Sequence, residues 1–148
     1  MALPAESQTR VPSQENLLLD YVRRLEKHKE GRKVVHVHLS GLRSFNRRDQ
    51  HIRTAASTFE PLVKELQGQL FTLKNADLFL IYKSEQQHQV VTMVQKLKFL
   101  FSDDPLVAEE SENKPFSSWY DAEQHFDDII QLVQGLADVE KVKSKPNM

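Results

Sequence analysis

The sequence contains no cysteine, and it has only four glycines in 148 residues. Without cysteine the chain can form neither disulfide bonds nor thiolate metal sites, so a bound metal would need histidine and carboxylate ligands. A Gly-rich phosphate-binding loop, a His-Glu-x-x-His motif and a Gly-x-Ser-x-Gly motif are all missing from the sequence. We therefore expect neither enzymatic activity nor a cofactor.

Long apolar runs are missing as well. No stretch approaches the roughly 18 apolar residues of a membrane span. The N-terminal sequence Met-Ala-Leu-Pro-Ala-Glu-Ser lacks the basic-then-apolar order of a signal peptide. The sequence thus predicts a cytoplasmic protein that does not enter a membrane.

The composition, with 39% hydrophobic and 28% charged residues, is typical of one globular domain with polar ends. We expect a disordered lead over residues 1–12, a single α+β domain over 13–138 and a frayed tail over 139–148. Within the domain we expect an N-terminal helix at 13–30, a core at 34–120 and a C-terminal helix at 121–138.

The net charge of −1 argues against nucleic acid as the main partner. The charge is nevertheless uneven, because residues 1–53 are basic and residues 103–148 are acidic. A local basic patch is predicted after the first strand, formed by Arg43, Arg47, Arg48 and Arg53. Such a patch is expected to bind RNA weakly at most, and in a salt-sensitive way.

The most informative stretch runs from Gln69 to Lys83, where two apolar runs flank Lys-Asn-Ala-Asp. Runs of this length separated by turn residues predict a β-hairpin, with Asn75 supplying the positive φ of a tight turn. The second run, residues 78–82, is apolar throughout, which predicts a central strand covered by helices on at least one face.

The remaining elements are read from apolar periodicity. A strand is predicted at Val34–Leu39, a helix at 46–66 that kinks or breaks at Pro61, a helix at 85–101 and a strand at 116–120. The order strand, helix, hairpin, helix, strand is that of a ferredoxin-like α+β domain, whose antiparallel sheet has helices on one face.

Two histidines, His36 and His38, alternate along the first strand and therefore project from the same face. Two imidazoles at this spacing could contribute to a metal site. The sequence offers no third ligand nearby, so we expect ordinary packing of these rings and no metal.

The turn of the hairpin resembles the signature of diguanylate cyclase (GGDEF) domains, Arg-x-Gly-Gly-Asp-Glu-Phe-x-Ile. The corresponding residues here are Asn75, Ala76, Asp77, Leu78 and Phe79, of which Asp77 and Phe79 match the signature. The resemblance covers about residues 34–120. It implies a nucleotidyl-cyclase-like fold of the kind found in bacterial signalling proteins.

The departures from the signature bear on catalysis. Asn75 and Ala76 replace the glycines that allow a nucleotide to approach the backbone, and Leu78 replaces the acidic residue. The first strand ends in His38-Leu39-Ser40-Gly41, where that family has a metal-binding Asp. The resemblance therefore implies a degenerate, non-catalytic domain that regulates or dimerises through protein contacts, often beside a phosphodiesterase (EAL) domain.

Two alternatives remain open. An RNA-recognition motif has the same order of elements, and the strand Val35-His36-Val37-His38-Leu39 resembles its short RNP2 strand, although the matching aromatic run on the hairpin is missing. A stand-alone scaffold or adaptor domain is the other alternative.

The N-terminal helix carries a narrow apolar stripe, formed by Leu18, Tyr21, Val22 and Leu25, on an otherwise charged surface. This stripe needs an apolar surface to cover. We expect a homodimer in which two such helices meet, and the alternative is a monomer with the helix packed on its own sheet.

Overall fold

The computed structural model describes residues 13–144, with side chains to residue 139. The predicted disordered lead and residues 145–148 of the predicted tail lie outside this range. Six α-helices occur in it: α1 (Gln14–Leu25), α2 (Asp49–Ser57), α3 (Glu60–Lys64), α4 (Gln87–Leu100), α5 (Pro105–Ala108) and α6 (Phe126–Ser144). The strands are β1 (Arg32–Val37), β2 (Gly68–Thr72), β3 (Leu78–Lys83) and β4 (Ser117–Asp121).

The four strands form one antiparallel sheet in the order β2-β3-β1-β4. The predicted hairpin is β2 and β3, which pair from Gly68 opposite Tyr82 to Thr72 opposite Leu78. β3 is central and its apolar run is buried, as predicted. The chain passes from β1 through α2 and α3 to β2, and from β3 through α4 and α5 to β4. The prediction of an α+β fold is confirmed.

Both faces of the sheet are covered by helices, although we expected helices on one face. One core joins β1 and β3 to the α2–α4 segment, with Val35, Val37, Leu80, Phe59, Val94 and Leu97 among its members. The other core joins the opposite sheet face to α1 and α6, with Val34, Phe79, Ile81, Leu18, Val22, Ile129 and Val133 among its members. The terminal helices thus find their apolar surface on the sheet itself.

Helix α1 begins as predicted, because the Ser13 Oγ accepts a hydrogen bond from the Asn16 N–H at 3.1 Å and caps the helix. Its stripe, however, is not free for a second copy of the chain. Leu18, Val22 and Leu25 are buried inside the same chain, and Tyr21 packs against this core, edge-on to Phe71. A dimer through these four residues would require α1 to leave its own sheet, and the homodimer stays a prediction.

The predicted helix at 46–66 is broken near Pro61, as expected. α2 ends at Ser57, and α3 starts at Glu60 with Pro61 in its first turn, where the missing N–H of proline is tolerated. α3 does not extend to Leu66, which is 81% exposed and has a φ of 60°. Gly68, two residues further on, is the first residue of β2.

Helix α6 differs from its predicted span at both ends. Residues 122–124 form a turn directly after β4, in which the Asp121 Oδ1 accepts hydrogen bonds from the N–H groups of Glu123 and Gln124, and the helix starts only at Phe126. It then continues to Ser144, through part of the predicted frayed tail. No helix within residues 13–144 is long and apolar enough to cross a lipid bilayer.

Candidate functional site

The end of β1 and the start of β3 bring three polar side chains together on the sheet face covered by α1 and α6. His36 lies in β1, His38 follows that strand directly, and Asp77 immediately precedes β3. One potential ligand atom from each of the three lies within 4.8 Å of the other two. Among the described side chains this is the one group of three or more His, Asp or Glu with such spacing.

Hydrogen bonds hold these groups in place. His36 Nε2 lies 2.8 Å from Asp77 Oδ2, and the other carboxylate oxygen accepts the Ser40 N–H at 2.7 Å. His38 Nε2 lies 2.7 Å from Ser118 Oγ, on the neighbouring strand β4. The two imidazole rings are 4.2 Å apart between centroids. The cluster is thus built from both neighbours of β1.

Burial and hydrogen bonding set the ionisation of the cluster. Burial alone would raise the pKa of Asp77, but the hydrogen bond and charge of His36 and the Ser40 N–H together hold that pKa below its usual value. An ionised carboxylate only accepts hydrogen bonds, so the Nε2 of His36 is the donor in this pair. The Nδ1 of His36 is buried and has no hydrogen-bond partner.

The surroundings of His38 favour the neutral form of its imidazole by lowering its pKa. Burial lowers its pKa below the ordinary value of 6.5, and the neighbouring His36 ring lowers it further, against the opposing charge of Asp77. A neutral imidazole keeps one nitrogen lone pair, which is the form that binds metals.

The turn that resembles the cyclase signature is used to build this cluster. Ala76, and not Asn75 as predicted, adopts the positive φ, at 87°. The side-chain oxygen of Asn75 instead accepts the Asp77 N–H at 2.9 Å, which directs the chain into β3. Leu78 and Phe79 are buried on opposite faces of the sheet. All five signature positions therefore serve the turn, the cluster or the two cores.

A cavity of about 590 Å³ opens beside the cluster. His38, Ser40 and Ser118 line it on the sheet side, and Leu106, Glu109 and Lys114 are among the residues on the other side. Gly41 permits the close approach of the two sides, because a Cβ atom there would lie 3.1 Å from Leu106 Cδ1. His38 is the member of the cluster that reaches this cavity.

The predicted basic patch lies outside the cluster. Arg43, Arg47, Arg48 and Arg53 are all exposed. Arg47 Nη1 donates to the carbonyl oxygens of Ser40 at 2.8 Å and Leu42 at 3.1 Å, so this arginine braces the loop that leaves β1. The structure therefore gives Arg47 a local role in the loop.

The sequence did not reveal Asp77 as a partner of the two histidines, since it lies 41 residues after His36. The predicted order of elements contained the needed signal. A sheet in which β3 runs antiparallel to β1 places the first residues of β3 beside the last residues of β1. A polar residue at the start of β3 would therefore be expected to meet the two histidines.

No protein-family model, curated protein or solved structure matches this chain. The resemblance to cyclase domains rests on the hairpin residues and on the order of the elements.

Proposed function

We propose that this chain carries a ferredoxin-like, cyclase-like domain that does not turn over nucleotides and acts as a regulatory or dimerising module of a bacterial signalling protein. The strand order β2-β3-β1-β4, with two crossovers through helices, supports the ferredoxin-like assignment. The protein contacts, the homodimer, an attached phosphodiesterase-like domain and a cytoplasmic location belong to the same proposal.

The observation that carries the proposal is the packing and hydrogen bonding of the hairpin-turn residues Asp77 and Leu78. Leu78 stands where active cyclases have an acidic residue, and it is completely buried among the side chains of α2–α4. Both oxygens of Asp77 are already hydrogen-bonded within the chain. Nucleotidyl transfer requires metal ions that neutralise the triphosphate, and those ions prefer several carboxylate ligands. A turn that offers one carboxylate, with a buried Leu78 in place of the second acidic residue, supports a non-catalytic role.

An RNA-recognition function is less well supported. That mode of binding stacks bases on aromatic side chains of an open sheet face. Here His36 and Phe79, which would form that platform, are 4% and 0% exposed beneath the terminal helices. The exposed arginines leave at most a weak electrostatic attraction to RNA.

Incubation of the chain with GTP or ATP, each with Mg²⁺ or Mn²⁺, tests the proposal. We expect no cyclic nucleotide or cyclic dinucleotide by chromatography at any protein concentration. Reproducible turnover that is lost in Asp77→Asn and kept in Asp49→Asn would contradict it. Asp49 is a suitable control because it is exposed, at the first turn of α2.

A further inference from the structure

Three potential ligands from two neighbouring strands converge at one point, and no regulatory or cyclase-like role accounts for them. His36, His38 and Asp77 have donor atoms within 4.8 Å of one another. Tetrahedral Zn²⁺ with bonds of about 2.0–2.2 Å needs ligand atoms roughly 3.3 Å apart. His36 Nε2 and Asp77 Oδ2 are already closer than this, at 2.8 Å, and all three donors lie within 4.8 Å of one another.

The surroundings of the cluster resemble the outer shell of a metal site. Metal-binding imidazoles commonly donate their second ring nitrogen to an oxygen, which fixes the ring and the tautomer. Ser118 is such a partner for His38, with its hydroxyl 2.7 Å from His38 Nε2, whereas the hydrogen bond of His36 to Asp77 lies between two of the proposed ligands. Asp77 is itself held by the Ser40 N–H. The three side chains are therefore oriented before any ion arrives.

One nitrogen of the cluster has no partner at all. The Nδ1 of His36 is buried, without a hydrogen bond, in a side chain that is 4% exposed. Buried polar atoms in folded proteins nearly always have a partner, so the hydrogen bonding of the His36 ring is incomplete without a ligand. In the three-ligand site the ion takes the place of the proton between His36 Nε2 and Asp77 Oδ2, and Nδ1 then carries the remaining ring proton.

The donor set also indicates the class of ion. Two imidazoles with one carboxylate suit Zn²⁺, Co²⁺ or Ni²⁺, whereas Mg²⁺ and Ca²⁺ prefer oxygen ligands throughout. Three protein ligands leave a coordination position for water or another ligand. The cavity of about 590 Å³ next to His38 provides both the path and the space for it.

We propose that His36, His38 and Asp77 bind one first-row transition-metal dication, with Zn²⁺ as the expected ion. The site is independent of the regulatory role proposed above, because it requires neither nucleotide nor partner. It also replaces the expectation from sequence that these histidines are ordinary packed side chains.

Titration of the chelator-treated chain with Co²⁺ tests this site, because tetrahedrally bound Co²⁺ absorbs strongly in the visible range. We expect one Co²⁺ per chain, displaced by Zn²⁺ and not by Mg²⁺, and a higher thermal midpoint when Zn²⁺ is present. His38→Ala should weaken binding at least tenfold and abolish the Zn²⁺-dependent rise of the midpoint. The matched control is His88→Ala, which removes an exposed histidine from α4 and should change nothing.

His38 is only half-buried, so its alanine variant is expected to fold, and the thermal midpoint without metal checks this. Asp77→Asn is a second variant of nearly unchanged shape, and it should also weaken Co²⁺ binding. Absence of one-to-one binding at micromolar metal would overturn the proposal. Equal losses in His38→Ala and His88→Ala would also overturn it, since they would show that the metal binds to surface histidines in general.

Discussion

Leu66 and Ala76, neither of which is glycine, adopt left-handed backbone conformations with φ of 60° and 87°. Such conformations cost an L-amino acid about 1–2 kcal/mol, because Cβ approaches the carbonyl oxygen. Leu66 follows α3, where the Gln67 N–H bonds to the Leu62 carbonyl at 2.8 Å and the Leu66 N–H to the Val63 carbonyl at 3.1 Å. This is the Schellman pattern, which favours glycine at the position of Leu66.

Leu66→Gly should therefore stabilise the fold by roughly 0.5–1 kcal/mol, because it removes the backbone strain and Leu66 is 81% exposed. The measurement is the free energy of unfolding in urea. Gly31→Ala is the converse control, since Gly31 has a φ of +69° and a Cβ atom there would make only an ordinary contact with Ser84 Oγ at 3.9 Å, and it should destabilise by about 1 kcal/mol. Equal destabilisation by both substitutions would contradict the assignment of strain to Leu66. Ala76 is a poorer test, because its methyl group packs against the core.

At the scale of elements, Asp104 joins two segments that the sequence does not connect. Its Oδ1 accepts the Leu106 N–H at 3.0 Å and caps α5. Its Oδ2 accepts the Arg43 N–H at 3.0 Å and the Asn46 Nδ2 at 2.9 Å, in the loop after β1. Asp104 is 1% exposed. This carboxylate therefore holds α5 against the loop and shapes the cavity beside His38.

Asp104→Asn should lower the free energy of unfolding by about 1–3 kcal/mol at neutral pH, because hydrogen bonds to an ionised acceptor are replaced by weaker or missing ones. Asp103→Asn is the matched control, since it removes the same charge from the exposed neighbouring position and should cost less than about 0.5 kcal/mol. Urea unfolding of both variants measures the difference. Similar losses in the two would show that net charge, and not these contacts, is responsible.

The stability difference between wild type and Asp104→Asn should depend on pH. Burial would raise the pKa of Asp104, but hydrogen bonds from Asn46, Leu106 and Arg43 hold it below the usual 3.8. A carboxylate with a lowered pKa in the folded state stabilises the fold above its unfolded pKa, and that stabilisation is lost as the pH falls through the folded value. The gap between wild type and Asp104→Asn should thus be constant near neutrality and shrink below about pH 4.

Local patterns in the sequence predicted several elements correctly, and contacts between distant residues explain where the prediction fell short. The apolar run of β3 and the break near Pro61 are encoded in adjacent residues, and both were found. The sequence predicts no role for Asp104, because its partners Arg43 and Asn46 lie 61 and 58 residues away. Its position directly before Pro105, at the start of a helix, was a usable signal for a cap.

At the scale of the whole molecule, the sheet is sandwiched between two helical layers, and this arrangement could not be read from periodicity alone. The apolar stripe of α1 indicates that this face of the helix is buried. It does not indicate whether the covering surface belongs to the same chain or to a second copy. The Lys74 N–H donates to Glu15 Oε2 at 2.8 Å, so α1 is tied to the hairpin turn that carries Asp77. The N-terminal helix thereby becomes a support of the candidate site.

The packing of α1 on its own sheet can be tested by comparing two neighbouring leucines of this helix. Leu17 and Leu18 are adjacent in this helix, yet Leu17 is 38% exposed and Leu18 is 0% exposed. Leu18→Ala should lower the free energy of unfolding by about 2–5 kcal/mol through loss of buried contacts and formation of a cavity. Leu17→Ala should cost less than about 1 kcal/mol, because that side chain stays partly in water.

Urea unfolding at two protein concentrations, together with light scattering, separates the two arrangements. If α1 packs on its own sheet, the loss in Leu18→Ala is the same at both concentrations and the molar mass equals that of the wild type. The homodimer proposed above would then use another surface and survive this substitution. If α1 instead meets a second copy, Leu18→Ala converts dimers into monomers and makes unfolding depend on protein concentration. That second outcome would overturn the intramolecular packing of α1, and with it the support that this helix gives to the hairpin turn.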